Sequence, residues 1–224
     1  PEWVKAGAAE EAKAAGKEGK WLFTLQNSSR LPFLQYAENR ELRKNIYEAY
    51  INRGNHDDAN DNKEILGKIM ALRLEQAKLL GFDCYSNVLD ENMAKNSQTV
   101  MDFLNNLWGY SLENAKKEAA ELQKIMDKEG KGEKLAAWDW WYYAEKLRQE
   151  KYDLNEDEIK PYFSLEDVRS GLYTVANKLY GITLTELNDV PVYEPDVKVY
   201  EVKDADGSFL GLFYADYFPR AGKR

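Results

Sequence analysis

Apolar residues recur at three- and four-residue spacing along most of the chain, which predicts a mainly α-helical protein. The longest periodic segment spans Ser97–Lys128, and a helix of that length is typical of a wall or scaffold rather than of a small bundle. Further helices are predicted over residues 65–80, between Asn39 and Gly54, and more weakly over residues 2–18. Residues 21–25 are compatible with a short extended segment.

Five aromatic side chains stand close together after the longest helix: Trp138, Trp140, Trp141, Tyr142 and Tyr143. They could form a wall on which a ligand stacks, or the buried first turn of a helix. Asp139 is placed as the N-cap of such a helix, and Trp138 and Tyr143 could then form a hydrophobic staple across its start. Because the capped helix explains every aromatic, we expect it in preference to the ligand platform.

The pattern changes character toward the end of the chain. Ser164 is predicted to cap a helix that ends at Gly181, with five apolar residues facing inward: Leu165, Val168, Leu172, Val175 and Leu179. Beyond it, residues 197–202 and 209–214 read as two strands joined by a turn that contains Asp204 and Asp206. We therefore expect a helical scaffold over residues 1–190 and a β-hairpin over residues 191–224.

Composition excludes several classes of protein. The net charge is -8 and the pI is about 5.0, which argues against a nucleic-acid-binding protein because phosphate binding needs a concentrated basic face. No apolar run approaches the ~18 residues of a transmembrane helix. Cys84 is the one cysteine, so the chain can form no internal disulfide, and a cysteine-based structural zinc site is not expected.

Candidate catalytic and metal-binding residues are few. His56 is the one histidine, so the chain cannot form H-E-x-x-H, and no serine or cysteine nucleophile has a supporting motif around it. Asp58, Asn60 and Asn62 resemble part of a calcium loop, but Lys63 replaces the glycine that such a loop needs. We expect these residues to cap the next helix, and we assign no catalytic or metal-binding residue in this chain.

Several segments together resemble the thimet-oligopeptidase-like family of zinc peptidases. They include PFLQYAENRELRKNIYEAYINRG, DDANDNKEIL, WDWWYYAEKLRQEKYDL, PVYEPDVKVYEV and DVKVYEVKDADGSFLGLFYADYFPRAGKR. The details are most similar to the bacterial peptidyl-dipeptidase branch, also called dipeptidyl carboxypeptidases. None of the segments is a catalytic motif, so the specificity of the resemblance comes from their number and their common order along the chain.

The resemblance implies a neurolysin-like or zincin-like helical scaffold with a channel that admits short peptides. It also implies a zinc ion held by H-E-x-x-H and a further glutamate, in a region downstream of the segment that resembles Tyr214–Pro219. No residue here matches a family zinc ligand or catalytic base. We therefore expect a non-catalytic segment of a zinc peptidase that binds no zinc by itself, with residues 191–224 opening the catalytic domain.

The resemblance also leads to expectations about substrates, cellular compartment and partners. The substrates implied are short peptides from which C-terminal dipeptides are released, and the cytoplasm is the expected compartment, with the periplasm as the alternative. No nucleic-acid or membrane partner is expected, whereas two copies of the segment could pair through the hairpin. The alternative from another class is a free-standing helical module, without catalytic activity, that binds a peptide or a protein.

Overall fold

The computed structural model describes residues 1–130, 132–152, 156–220 and 222–223. The chain divides into two compact units, Pro1–Asp153 and Leu154–Arg224, which we describe separately as unit 1 and unit 2. No helix in these described ranges is long and apolar enough to cross a lipid bilayer. The expected domain division at residue 190 stays a prediction.

Unit 1 is built from helices. Their bounds are α1 Glu2–Ala14, α2 Asn27–Tyr36, α3 Arg40–Ile51, α4 Lys63–Leu79, α5 Tyr85–Met93, α6 Ser97–Lys128 and α7 Trp140–Tyr152. Helix α7 packs against both α2 and α6, and a 3-10 turn over Ala137–Asp139 leads into it and packs against α3. The aromatic stretch therefore begins at the centre of the contacts within unit 1.

The main helical predictions for unit 1 are confirmed. Helix α6 has the predicted bounds, with the Asn96 side chain accepting a hydrogen bond from the Thr99 amide at 2.9 Å. Asn39 caps α3 in the same way, accepting from the Leu42 amide at 3.1 Å. These caps form because each asparagine oxygen satisfies an amide that has no partner within the first turn.

The sequence prediction for unit 1 differs from the structure in a few places. Helix α1 ends at Ala14 rather than near residue 18, and residues 21–25, which are compatible with an extended segment, form no strand of a sheet. Helices α2 and α5 were not predicted, because each is short and rich in polar residues. Helix α2 is fixed by tertiary packing instead, since Leu34 and Arg30 on it are buried.

Unit 2 combines helices with a small sheet. Helices α8 (Glu156–Ile159) and α9 (Leu165–Tyr180) precede the antiparallel strands β1 (Thr183–Leu187), β2 (Lys198–Lys203) and β3 (Phe209–Ala215). The order β1–β2–β3 makes β2 central. The predicted hairpin is confirmed as β2–β3, whereas β1 was not predicted because its five residues carry little apolar alternation. The chain is thus mainly helical and ends in a three-stranded sheet.

Helix α9 has the predicted ends but not the predicted orientation. The Ser164 hydroxyl accepts from the Asp167 amide at 3.1 Å, and Gly181 ends the helix with φ 75°, a conformation that favours glycine. The apolar residues expected to face inward are exposed instead, at 39–67% of their surface: Leu165, Val168, Leu172, Val175 and Leu179. The sequence period identified the stripe correctly, but the polar face of α9 is the one that lies over the sheet.

Candidate functional site

The polar loop that contains His56 is held together by a lysine. The Lys63 ammonium lies 2.7 Å from carboxylate oxygens of both Asp57 and Asp61, and His56 is exposed. The carboxylate of Asp61 also accepts from the Lys63 amide at 2.9 Å at the start of α4. Asn62 occupies the N-cap position of α4, as expected, but it makes no side-chain cap bond. The expected side-chain capping is therefore supplied by Asp61 instead.

The described residues offer no site for a metal ion. Within the ranges given above, no group of three or more His, Cys, Asp or Glu side chains is arranged to bind one. Asp204 and Asp206 accept from the amides of Ala205 and Ser208, as expected for turn residues. The donor set that zinc needs thus does not fit the residues in hand, and we derive no catalytic step from them.

The start of α7 is fixed by a buried carboxylate. Asp139, which is fully buried, receives hydrogen bonds from Arg43 Nη2 at 2.8 Å, from Arg40 Nη2 at 2.9 Å and from the Ala136 amide at 3.1 Å. Burial would raise the pKa of this carboxyl, but the hydrogen bonds from Arg40 and Arg43 outweigh it, so the pKa is lowered. Asp139 is therefore not the simple N-cap that the sequence predicted but the centre of an ion cluster that ties the 3-10 turn to α3.

The aromatic rings around Asp139 divide between two helices. Trp138 is half-buried, with its ring 6.3 Å from that of Tyr47 on α3 and the Lys44 ammonium 5.4 Å from its centre. Tyr143 is buried in a cluster with Leu122 and Met126 of α6. The predicted staple between Trp138 and Tyr143 is therefore wrong, because each ring packs against a different helix.

Tyr143 also carries a polar link at the end of α6. Its hydroxyl donates to Glu129 Oε2 at 3.0 Å, and the Lys146 ammonium binds the other oxygen of the same carboxylate. Burial and the Glu129 carboxylate both raise the pKa of the Tyr143 hydroxyl. The aromatic stretch thus packs as a helix interface, although the buried Trp138 indole N–H has no hydrogen-bond partner among the described residues. This agrees with the capped-helix interpretation rather than the ligand platform.

A cleft in unit 2 is the more open candidate for a binding site. It has a volume of about 510 Å³ and lies between α9 and strands β1 and β2. Side chains from one face of α9, including Glu166, Arg169 and Tyr173, line it on one side, and Glu186 and Tyr200 line it on the other. The cleft therefore places one guanidinium, two carboxylates and two phenols around one space.

Sequence reasoning missed both of these arrangements. The spacing of Arg40 and Arg43 places them on neighbouring turns of α3, but nothing in the sequence links them to a carboxylate 96 residues away. For the cleft a signal was present. Polar residues at helical spacing on α9 form a second stripe opposite the apolar one: Glu166, Arg169, Ser170, Tyr173, Thr174 and Asn177.

Comparison with known proteins identifies the family. The model described as "Peptidase family M3" matches residues 33–224. The chain belongs to this family. Among the M3 relatives, dipeptidyl carboxypeptidase of Salmonella typhimurium is 40% identical over 218 residues, which cover 96% of this chain and 32% of the relative.

Two further M3 relatives support the assignment. Oligopeptidase A of Escherichia coli is 38% identical over 229 residues, covering 100% of this chain and 34% of the relative. Organellar oligopeptidase A of Arabidopsis thaliana is 37% identical over 217 residues, covering 94% of this chain and 27% of the relative. The chain thus spans about a third of the length of the curated relatives it matches, and the resemblance to the zinc oligopeptidases is confirmed at the level of the family.

Proposed function

We propose that this chain is a scaffold segment of a zinc metallopeptidase that cleaves short peptides and releases their C-terminal dipeptides. The observation that carries the proposal is the 40% identity to a dipeptidyl carboxypeptidase over nearly the whole chain. In this proposal the zinc ligands and the catalytic base belong to a part of the enzyme outside the described residues. The helices of unit 1 form part of the wall along which the peptide passes.

Exposed apolar surfaces support a role as one part of a larger enzyme. On α4, Leu66, Met70 and Leu72 are exposed to 54–64%, although they lie on a strongly periodic helix. On α6, Phe103 and Trp108 are exposed to 62–63%. Large apolar patches of this kind are typical of surfaces that other protein segments cover. Within unit 2 the apolar stripe of α9 and both faces of β3 have the same character.

A chimeric enzyme tests the proposal. The matched region of the Salmonella typhimurium dipeptidyl carboxypeptidase is replaced by this chain, and the purified, zinc-loaded chimera is incubated with an N-blocked tetrapeptide. We expect release of the C-terminal dipeptide, detected by mass spectrometry, and its loss on treatment with a chelator. A second chimera that carries Asp139→Ala is the control for the helix framework, and we expect it to be less stable.

The outcome that contradicts the proposal is a folded, zinc-loaded chimera that cleaves the tetrapeptide at no position. Cleavage at other positions would keep the metallopeptidase assignment and remove the dipeptidase specificity. We propose the cytoplasm as the compartment, with the periplasm as the alternative. Fractionation of cells that produce the protein, with immunodetection of each fraction, decides between them.

The free-standing binding module remains as a second candidate, because the polar cleft of unit 2 is formed entirely within this chain. A module of this kind would bind its ligand without any further protein segment. It would also remain monodisperse in solution despite its exposed apolar surfaces. Size-exclusion chromatography with light scattering on the 224-residue chain distinguishes the two candidates, since the scaffold segment should self-associate.

A further inference from the structure

We propose that the cleft between α9 and strands β1 and β2 binds a small zwitterion, an amino acid or a short peptide, with its carboxylate on Arg169 and its ammonium on Glu186. The cleft lies wholly within unit 2, and its volume of about 510 Å³ falls in the usual range for small-ligand sites, roughly 300–1,000 Å³. This inference concerns a site that takes no part in the proposed peptidase chemistry and does not depend on it.

Arg169 supplies the first half of the argument. Its side chain is 12% exposed, and within the described part of the chain its guanidinium donates to one acceptor, the exposed carboxylate of Glu166. A guanidinium has five N–H donors, and none of the remaining Arg169 donors is both buried and without a partner, so they reach the water of the cleft. A ligand carboxylate in the cleft would accept from the donors that Glu166 leaves unused.

Two tyrosines shape the wall beside Arg169. The rings of Tyr173 and Tyr200 meet edge-to-face at 5.1 Å, and the Arg169 guanidinium carbon lies 5.7 Å from the Tyr200 ring centre. The Tyr173 hydroxyl is buried and has no hydrogen-bond partner among the described residues. Burial raises the pKa of this hydroxyl, and Tyr200 adds to the effect, so it stays protonated and able to donate.

Glu186 supplies the opposite charge. It stands directly across from Tyr200 in the β1–β2 register, and its Oε2 lies 3.5 Å from the Tyr200 hydroxyl. Its present cation partner is Lys198, whose Nζ lies 3.0 Å from the Glu186 carboxylate. The side chains of Lys198 and Glu186 are 43% and 35% exposed. An ion pair as exposed as this contributes little, so a ligand ammonium can share the carboxylate.

The mixture of charges selects the class of ligand. A simple anion would contact Arg169 but would be repelled by Glu166 and Glu186. A simple cation would be attracted by the two carboxylates but repelled by Arg169. A molecule with an ammonium and a carboxylate satisfies both ends of the cleft. Free amino acids and short peptides share this chemistry, and they differ in length.

The test is a titration of the isotope-labelled 224-residue chain followed by NMR. The probes are alanine, Ala-Ala, Ala-Ala amide and N-acetyl-Ala-Ala. We expect saturable chemical-shift changes at amides of α9 and β1 with alanine or Ala-Ala. Whichever of the two probes binds more tightly shows whether the site prefers a free amino acid or a dipeptide. Blocking either terminus should weaken binding about tenfold or more, because each removes a charge-assisted hydrogen bond.

Matched variants locate the site. Arg169→Met and Glu186→Gln should each weaken Ala-Ala binding about tenfold or more. Lys178→Met on the same helix should bind normally, and so should Glu201→Gln, because neighbouring residues of a strand point to opposite faces and Glu201 therefore lies away from the cleft. If a variant does not fold, the blocked probes on the unsubstituted chain decide the question.

Two results would overturn the inference. One is the absence of saturable shifts with both alanine and Ala-Ala. The other is binding of Ala-Ala amide or N-acetyl-Ala-Ala as tight as that of Ala-Ala. This would show that Arg169 and Glu186 do not bind the charged termini of the ligand. Neither result bears on the chimeric peptidase assay, so failure of this inference and failure of the proposed function are separable.

Discussion

Neutralising Asp139 should destabilise unit 1 more than any exposed charge change can. Asp139→Asn keeps the shape of the side chain but removes the charge that faces Arg40 and Arg43 at 2.9 and 2.8 Å. Arg43 is 1% exposed, so its guanidinium would remain buried without a counter-charge. Removing one partner of such a pair usually costs about 3–5 kcal/mol, and we expect about 3 kcal/mol because the amide oxygen can still accept.

Glu133→Gln is the matched control. Glu133 binds the same guanidinium of Arg40 at 2.8 Å, but its side chain is 42% exposed. Exposed pairs of this kind contribute about 0–1 kcal/mol. The two variants make the same chemical change beside Arg40, and they differ in burial and in the second arginine, Arg43, that Asp139 also binds.

Tryptophan fluorescence in a denaturant titration measures the effect in unit 1 alone. All six tryptophans of the chain lie before residue 142 and therefore in unit 1, so the fluorescence comes from side chains of unit 1. Equal losses of unfolding free energy for Asp139→Asn and Glu133→Gln would refute the reasoning, since burial would then make no difference.

The same cluster gives a pH dependence with a defined sign. The pKa of Asp139 is lowered in the folded protein, so its contribution is fully present above the unfolded pKa of about 3.9 and is lost as the pH falls through the lower folded value. The stability difference between the unsubstituted chain and Asp139→Asn should therefore shrink below about pH 4. A difference that stays constant down to pH 2 would contradict this.

Three further predictions concern other parts of the chain. The 224-residue chain alone should contain no stoichiometric zinc by elemental analysis and should not cleave fluorogenic peptides, and chelator-sensitive cleavage by a clean sample would contradict this. Tyr143→Ala should cost about 3–5 kcal/mol as a buried aromatic, and Trp138→Ala less because its ring is half-buried; equal losses in denaturant would be evidence against this ranking. Strand β3 is an edge strand with exposed apolar residues on both faces, so it should either exchange its amides faster than α6 or pair with β3 of a second copy. Hydrogen exchange and light scattering would measure this, and a monomer with well-protected β3 amides would refute both outcomes.

Local sequence chemistry determined much of this fold. The bounds of α6, the Asn39 and Ser164 caps, the glycine end of α9 and the β2–β3 hairpin follow from apolar period, capping residues and turn residues. Each of these signals acts within a few residues of the chain, so it can be read without knowing what lies opposite. Segment resemblance likewise led to the correct family, because many collinear segments matched it.

Only the tertiary structure decided which surfaces and charges meet. An apolar stripe was visible on α9, but the sequence could not show that its polar face would lie over the sheet and form the cleft. The role of Asp139 was equally hidden, because its two arginine partners stand 96 and 99 residues away. Sequence periodicity shows which face of a helix is apolar. Which segment covers that face depends on contacts between residues that are distant in the sequence.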